Sequence, residues 1–262
     1  MIRVAVAGAA GRMGREVVRA ITSQSDMRLA AAYDPSCVGQ DAGEVAGIGT
    51  SGVVIANLSA ETLRRDLADV LVDFTTAAGA ISRLRTAVEN GVRVVSGTTG
   101  LAPKELEELA AFAEERRVGL VYAPNFSIGA VLMMHFAAIA AQYLPHAEII
   151  ELHHDRKLDA PSGTAAMTAE RIAASRSAKP DLASSEAPAA RGDTARGVPI
   201  HSVRLPGLVA HQEVLFGGQG QLLTIRHDSY DRTSFMPGVL LATRRVIDLS
   251  SPVVGLDRLL GL

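Results

Sequence analysis

The opening strand, glycine turn and helix constrain this chain more than any other stretch. Ile2-Arg3-Val4-Ala5-Val6-Ala7 is an apolar, β-branched run that reads as a buried strand. It runs into Gly8-Ala9-Ala10-Gly11-Arg12-Met13-Gly14, and residues 11–23 then place Met13, Val17, Val18 and Ile21 on one helical face. Gly8 and Gly11 permit a tight turn and a close backbone approach to a pyrophosphate. Gly14 lets the helix pack near the strand, and the helix start supplies free N–H groups and the positive end of its dipole. The spacing is G-x-x-G-x-x-G, one residue away from the common G-x-G-x-x-G. A plain glycine turn between strand and helix would use the same residues. Residues 27–33 form a second strand closing at Asp34, where a carboxylate can accept hydrogen bonds from adenine ribose hydroxyls. As a turn starter before Pro35, Asp34 would need no ligand.

The alternation continues. Strands are expected over 70–74, 92–96 and 118–122, and helices over 77–89 and 103–116, with Gly91 and Pro103 as boundary residues. Strands alternating with helices imply an α/β, Rossmann-type domain with a parallel sheet covered on both faces. Ligands bind such sheets at the carboxyl ends of the strands. Three further loops fall there: Asp73-Phe74-Thr75, Gly97-Thr98-Thr99-Gly100 and Ala123-Pro124-Asn125-Phe126. Each alone could be an ordinary turn; together with the first loop they would ring one crevice.

The pattern changes after residue 125. A long apolar helix is expected over 128–144, a strand over 147–152 and a helix over 162–176. Residues 177–199, rich in Ala, Ser, Pro, Arg and Gly, read as a long loop. Short strands follow over 200–205, 212–216 and 221–227 without helices between them, then a last helix over 235–249. This half reads as a smaller α+β domain with an antiparallel or mixed sheet. The expected division is 1–126, rejoined by a C-terminal helix within 240–262, and 127–239.

Composition narrows the function classes. Across 262 residues, 48% hydrophobic content supports a real core, and a net charge of −2 argues against a general nucleic-acid binder. With Trp absent and aromatics at 4%, base stacking is not expected either. No apolar run approaches a membrane span, no secretory signal pattern opens the chain, and Cys37 is the single cysteine. A cytoplasmic protein is expected, with no membrane or nucleic-acid partner.

The densest polar cluster is Glu151-Leu152-His153-His154-Asp155-Arg156-Lys157-Leu158-Asp159-Ala160-Pro161-Ser162-Gly163-Thr164-Ala165. It lies between a strand and a helix. It holds two of the seven histidines and one of only three lysines, the others being Lys104 and Lys179. Ser162, Gly163 and Thr164 at the helix start can offer N–H groups and hydroxyls to a carboxylate. His153 or His154 can exchange a proton near neutral pH, and Lys157 can donate one or attract an anion. Singly, Ser162 could be an N-cap and Lys157 a solvated charge. Adjacent histidines can also hold a metal, but no third ligand stands at suitable spacing and none is expected. The coincidence within one short stretch favours a site.

These motifs, in this order, resemble the 4-hydroxy-tetrahydrodipicolinate reductase family, formerly called dihydrodipicolinate reductase, over essentially the whole chain. The carrying residues are Val6 through Gly14, Asp73-Phe74-Thr75, Gly97 through Gly100, Pro124-Asn125-Phe126-Ser127 and Glu151 through Ala165. The resemblance implies hydride transfer from NADH or NADPH to a cyclic imine with two carboxylates, with loss of water, in lysine and diaminopimelate synthesis. It implies that His153 is the proton donor or acceptor and Lys157 a proton donor. His154, Ser162, Gly163 and Thr164 become substrate contacts. The implied cofactor contacts are Gly8, Ala9, Ala10, Gly11, Arg12, Met13, Asp34, Phe74, Gly97, Thr98, Thr99, Ala123, Pro124, Asn125 and Phe126. It further implies a homotetramer built through the second domain. Many members carry an arginine directly after the ribose acid; here Pro35 stands there, which points away from a strict NADPH preference. Another Rossmann oxidoreductase, or a non-catalytic dinucleotide sensor, would share residues 1–125 but would not need the cluster from His153 to Thr164.

Overall fold

A computed structural model describes residues 1–176 and 192–262, which form two compact units. Unit 1 is Met1–Ser127 with Phe235–Leu262; unit 2 is Ile128–Ser234.

Unit 1 is built on strands β1 (Ile2–Ala7), β2 (Met27–Tyr33), β3 (Ile55–Ala56), β4 (Val70–Asp73), β5 (Arg93–Ser96) and β6 (Leu120–Tyr122), with β12 (Pro252–Val254) added from the far end of the chain. The sheet order is β12-β6-β5-β4-β1-β2-β3, and every pair is parallel. Strand order reverses at β1, which has β2 on one side and β4 on the other, so a crevice opens at the carboxyl end of this point. The helices are α1 (Arg12–Thr22), α2 (Ala42–Ala46), α3 (Ala60–Asp66), α4 (Ala80–Glu89), α5 (Pro103–Glu115), α8 (Met236–Arg245) and α9 (Leu256–Leu260). α1 buries Gly14, Val17, Val18 and Ile21 as one face. Ala5, Leu71, Val94 and Leu120 on the strands pack with Leu84, Leu109 and Ala113 on helices α4 and α5.

Two sequence expectations change here. The helix expected over 77–89 starts only at Ala80, because Gly79 takes a left-handed φ of 73° at its N-cap. The last helix, expected over 235–249, is broken: a 3-10 turn at Arg232–Phe235, α8, and another 3-10 turn at Val246–Asp248. The chain then supplies β12, which residue pattern alone did not reveal. α8 seats tightly, since a Cβ on Gly238 would lie 2.0 Å from the Phe126 carbonyl oxygen.

Unit 2 comprises α6 (Ile128–Ala141), β7 (His146–His153), α7 (Gly163–Ser175), β8 (Asp193–Ala195), β9 (Val198–Arg204), β10 (Ala210–Gly218) and β11 (Gln221–Ser229). Its sheet is mixed, in the order β11-β10-β7-β9-β8, with β7 and β9 parallel and the other pairs antiparallel. The long loop expected over 177–199 is corrected in part: 193–195 and 198–204 are paired strands turning at Gly197, while 177–191 lie outside the described residues. Ile149, Glu151, Gln212, Val214 and Phe216 are all buried on one face of the sheet, beneath α6 and α7. The opposite face carries Ile150, Leu152, Val203 and Leu215, half-buried, and Leu222, exposed. No described helix of the unit covers it.

Candidate active site

In unit 1, Ala7, Asp73, Ser96 and Tyr122 lie in register across four strands. The next residues continue that row: Phe74 N–H donates to the Ala7 carbonyl (3.1 Å), Gly97 N–H to Asp73 (2.9 Å) and Ala123 N–H to Ser96 (3.1 Å). The four loops therefore leave the sheet at one level. This brings Gly8, Phe74, Gly97 and Ala123 together at the strand ends.

The glycines are needed by contact. Gly8 has φ 79°, and a Cβ on it would meet the Phe74 carbonyl oxygen at 2.6 Å. A Cβ on Gly14 would stand 1.9 Å from the Gly8 oxygen, so only glycine lets α1 reach the loop. A Cβ on Gly97 would enter the Phe74 ring at 2.2 Å; that ring packs edge-on against Phe126, centroids 5.6 Å apart. Gly11, the N-cap of α1, offers no side chain to its first-turn N–H groups. Those donors and the dipole suit an anionic phosphate. Arg12 is exposed and Met13 half-buried in the same turn.

Asp34 is buried, at 8% exposure. One oxygen accepts from Ala10 N–H (3.1 Å) and the other from Ser36 N–H (2.9 Å). It thus ties the glycine loop to the end of β2. A carboxylate has about four acceptor positions, so hydroxyl donors can still be accommodated. The glycine cradle, the uncapped helix start and the buried acid together fit a dinucleotide.

Below these loops lies a network that residue pattern did not show, centred on Asp73 of the Asp73-Phe74-Thr75 loop. Asp73, fully buried, accepts from Thr98 Oγ1 (2.6 Å), Thr75 Oγ1 (2.9 Å) and Ser96 Oγ (3.2 Å). Arg83 stands 4.0 Å away, with Nη2 on Thr75 Oγ1 (2.5 Å) and on the Thr76 carbonyl (3.0 Å). One carboxylate thereby pins two of the strand-end loops. Thr99 and Pro124 are exposed at the loop tips, and Asn125 turns the last loop by accepting from Ser127 N–H (2.8 Å).

In unit 2 the polar cluster gathers around Glu151, which has no exposure. Its Oε2 contacts His153 Nδ1 (2.5 Å) and Arg204 Nη1 (2.8 Å); its Oε1 accepts from Arg204 Nη2 (2.7 Å) and Ser162 N–H (3.2 Å). Burial pushes the Glu151 carboxyl up, but hydrogen bonds from His153, Arg204 and Ser202 outweigh it and hold the pKa at about 2. Lys157 Nζ grips both oxygens of Asp159 (2.8 and 2.6 Å), which lowers the Asp159 pKa. His154 is half-buried, and its Nδ1 is buried with no partner. Ser162 is the N-cap of α7: its hydroxyl accepts from Ala165 N–H (3.2 Å). Gly163 is exposed, and a Cβ there would meet nothing within 4 Å, so the helix start is open. Behind it, buried Gln212 donates to Thr168 Oγ1 (2.8 Å), which donates to the Thr164 carbonyl (2.7 Å).

Sequence reading thus named His153, His154, Lys157 and the α7 start, and the fold brings them together around one loop. It missed Glu151 as the partner of His153, although positions two apart on a strand share a face. Arg204 carried no signal at all, being 53 residues away.

This arrangement can be compared with known proteins. The model of the dihydrodipicolinate reductase N-terminus matches residues 2–126, and that of its C-terminus matches 129–260. The chain belongs to the dihydrodipicolinate reductase family. Members are oxidoreductases that use NADH or NADPH. The 4-hydroxy-tetrahydrodipicolinate reductase of Moorella thermoacetica is 53% identical over 99% of this chain and 98% of its own; that of Listeria monocytogenes serotype 4b (strain F2365) is 50% identical over 99% and 100%. Among solved structures, a dihydrodipicolinate reductase from Paenisporosarcina sp. TG-14 with dipicolinate bound is 45% identical. It superposes with a TM-score of 0.85 over 98% of this chain and 99% of that one. An amine dehydrogenase from Mycobacterium smegmatis, 18% identical (TM-score 0.69, 98% and 95% coverage), shares the fold.

Proposed function

We propose that this chain reduces 4-hydroxy-tetrahydrodipicolinate to tetrahydrodipicolinate, in the diaminopimelate route to lysine. The overall balance is substrate, NADH or NADPH and one proton giving product, oxidised cofactor and water. The bound nicotinamide supplies the hydride. The residues expected to hold the cofactor are Gly8 through Met13, Asp34, Phe74, Gly97 through Thr99, and Ala123 through Phe126. His153 is the proton donor or acceptor and Lys157 a proton donor; His154, Ser162, Gly163 and Thr164 hold the substrate.

The observation that carries this reading is the arrangement around Glu151. It supplies a proton-transfer group, His153, beside an open helix start whose N–H groups suit a carboxylate. Lys157 is the second cationic socket that a dicarboxylate needs. It is held by an exposed Asp159, a pairing of the kind worth only about 0–1 kcal/mol, so a substrate carboxylate can displace it. The relative solved with dipicolinate, itself a dicarboxylate, supports the same substrate class.

A coupled assay supplying the hydroxylated imine tests the proposal. Disappearance of reduced nicotinamide only when that substrate is present is expected; no consumption with either cofactor would refute it. The uncovered face of the five-stranded sheet, with Ile150, Leu152, Val203, Leu215 and Leu222, supports a homotetramer assembled through unit 2. Light scattering showing a stable monomer at micromolar concentration would refute that assembly. Among the described residues no helix is long and apolar enough to cross a membrane, and a cytoplasmic enzyme is the reading we adopt.

A further inference from the structure

The two groups read as proton-transfer residues share one anchor. Arg204, at the end of β9, is register partner to His153 at the end of β7. Its Nη1 and Nη2 fork onto the two oxygens of Glu151, and Nη2 also donates to the Asp159 carbonyl (2.8 Å). Asp159 in turn holds Lys157 through its carboxylate. The neighbouring backbone reinforces the strand pair, since Leu205 N–H donates to the His153 carbonyl (3.1 Å).

We propose that Glu151 and Arg204 are positioning residues for the reaction: Glu151 fixes the ring orientation and tautomer of His153, and Arg204 fixes Glu151 together with the loop that carries Lys157. This rests on the assignment of His153 and Lys157 made above.

The chemistry follows from donor and acceptor counts. An ionised carboxylate only accepts. Both Glu151 oxygens sit in a fully buried position, so the 2.5 Å contact requires His153 Nδ1 to carry a proton and donate it. Nε2 is then the atom left to exchange a proton with substrate. Flipping the ring would put carbon against a buried negative charge, which costs the full desolvation penalty of that contact. A buried carboxylate holding an imidazole in one tautomer is the same logic that orients the base in hydrolase triads. Arginine is required because four acceptors, the two Glu151 oxygens and the Val203 and Asp159 carbonyls, are met by one planar fork; lysine has the charge but only three donors and no fork.

The test compares Glu151→Gln, Arg204→Lys and the double variant Glu151→Gln/Arg204→Gln with the wild type. Positioning predicts kcat lower by about 10-fold or more in each single variant, a smaller loss than the roughly 100-fold expected when a general acid itself is removed. Cofactor KM stays within a factor of about two, because the nucleotide loops belong to unit 1. The 15N resonances of the His153 ring should report one Nδ1–H tautomer in the wild type and a mixture in Glu151→Gln. Wild-type kcat with an unchanged His153 spectrum in a folded Glu151→Gln protein overturns the proposal. If a single variant does not fold, the double variant, which leaves no orphan charge, decides by the same two readouts. The outcomes also separate the two claims. An inactive wild type refutes the reductase reading, and the His153 spectrum still decides whether Glu151 sets the tautomer. An active wild type, with loss in Lys157→Ala but none in Glu151→Gln, refutes positioning alone.

Discussion

Replacing Gly14 by alanine sets two effects of opposite sign against each other. In a free helix the change gains up to about 1 kcal/mol in propensity. Here the new Cβ would lie 1.9 Å from the Gly8 oxygen, 2.6 Å from its carbonyl carbon and 2.8 Å from Ala9 Cα. All three are backbone atoms, so no side chain can swing aside. Restoring even a 3.0 Å contact moves α1 and the loop apart by at least 1.1 Å. The loop has little room: Gly8 N–H is bonded to the Tyr33 carbonyl (2.8 Å), Gly11 N–H to the Gly8 carbonyl (2.9 Å), and Phe74 blocks the other side. Forcing extra volume into such a contact costs about 1–3 kcal/mol, so the collision wins over propensity. At about 2–4 °C per kcal/mol for a chain of this size, Tm should fall by about 2–12 °C. A displacement of that length also carries helix-start N–H groups beyond hydrogen-bond reach of a phosphate. Losing one charge-assisted bond, about 1.5 kcal/mol or more, weakens NADH binding by at least ~10-fold. Calorimetric titration with NADH and a thermal scan measure both numbers. An alanine variant with unaltered Tm and a Kd within about twofold of wild type would show that Gly14 does not set the approach of α1 to the loop.

Four further outcomes are expected. Lys157→Ala should lower kcat by at least ~100-fold with NADH Kd unchanged, and near-normal turnover would remove Lys157 from proton transfer. Asp73→Asn keeps the shape of the buried carboxyl but cannot accept from Thr75, Thr98 and Ser96 at once; cofactor KM should rise ~10-fold, one net hydrogen bond's worth, with less change in kcat, and an unaltered KM counts against its role in holding the loops. The Glu151 carboxyl is held at about 2 against an ordinary 4.5. A depressed acid adds stability above its unfolded value and loses it as pH falls toward the folded one. Urea unfolding should therefore show the gap between wild type and Glu151→Gln narrowing as pH falls from about 4.5 toward 2, and a constant gap would contradict the assignment. Finally, Asp34 with Pro35 beside it should leave NADH used at least as well as NADPH; a kcat/KM ratio favouring NADPH by more than ~10-fold would place the deciding cation elsewhere.

What the sequence determined by itself was local. The opening βα unit, the strand over 27–33, the alternation from residue 70 to 122, the four strand-end loops and the polar cluster before α7 were legible, because side-chain period, turn chemistry and capping act within a few residues. His153, Lys157 and Ser162 belong to that group, since they lie within one loop. The tertiary structure decided everything that depends on pairing across the chain. β12 has only three residues and β3 only two, too short to show a period, and each becomes a strand only by docking on a neighbour. The last helix ends at Arg245, where the chain passes Gly119 with the Val246 and Leu249 carbonyls against it and then re-enters the sheet beside β6. Residues 193–195 read as loop because their strand character comes from pairing with β9. The same holds for chemistry. Asp73 looked like a strand end until Ser96, at the end of the next strand, and Thr98, on the loop after it, closed on it. Glu151 looked like one more acid until Arg204 arrived from 53 positions away. The candidate site residues stand in short motifs, whereas the groups that hold them in place are chosen by strand register, which no local pattern encodes.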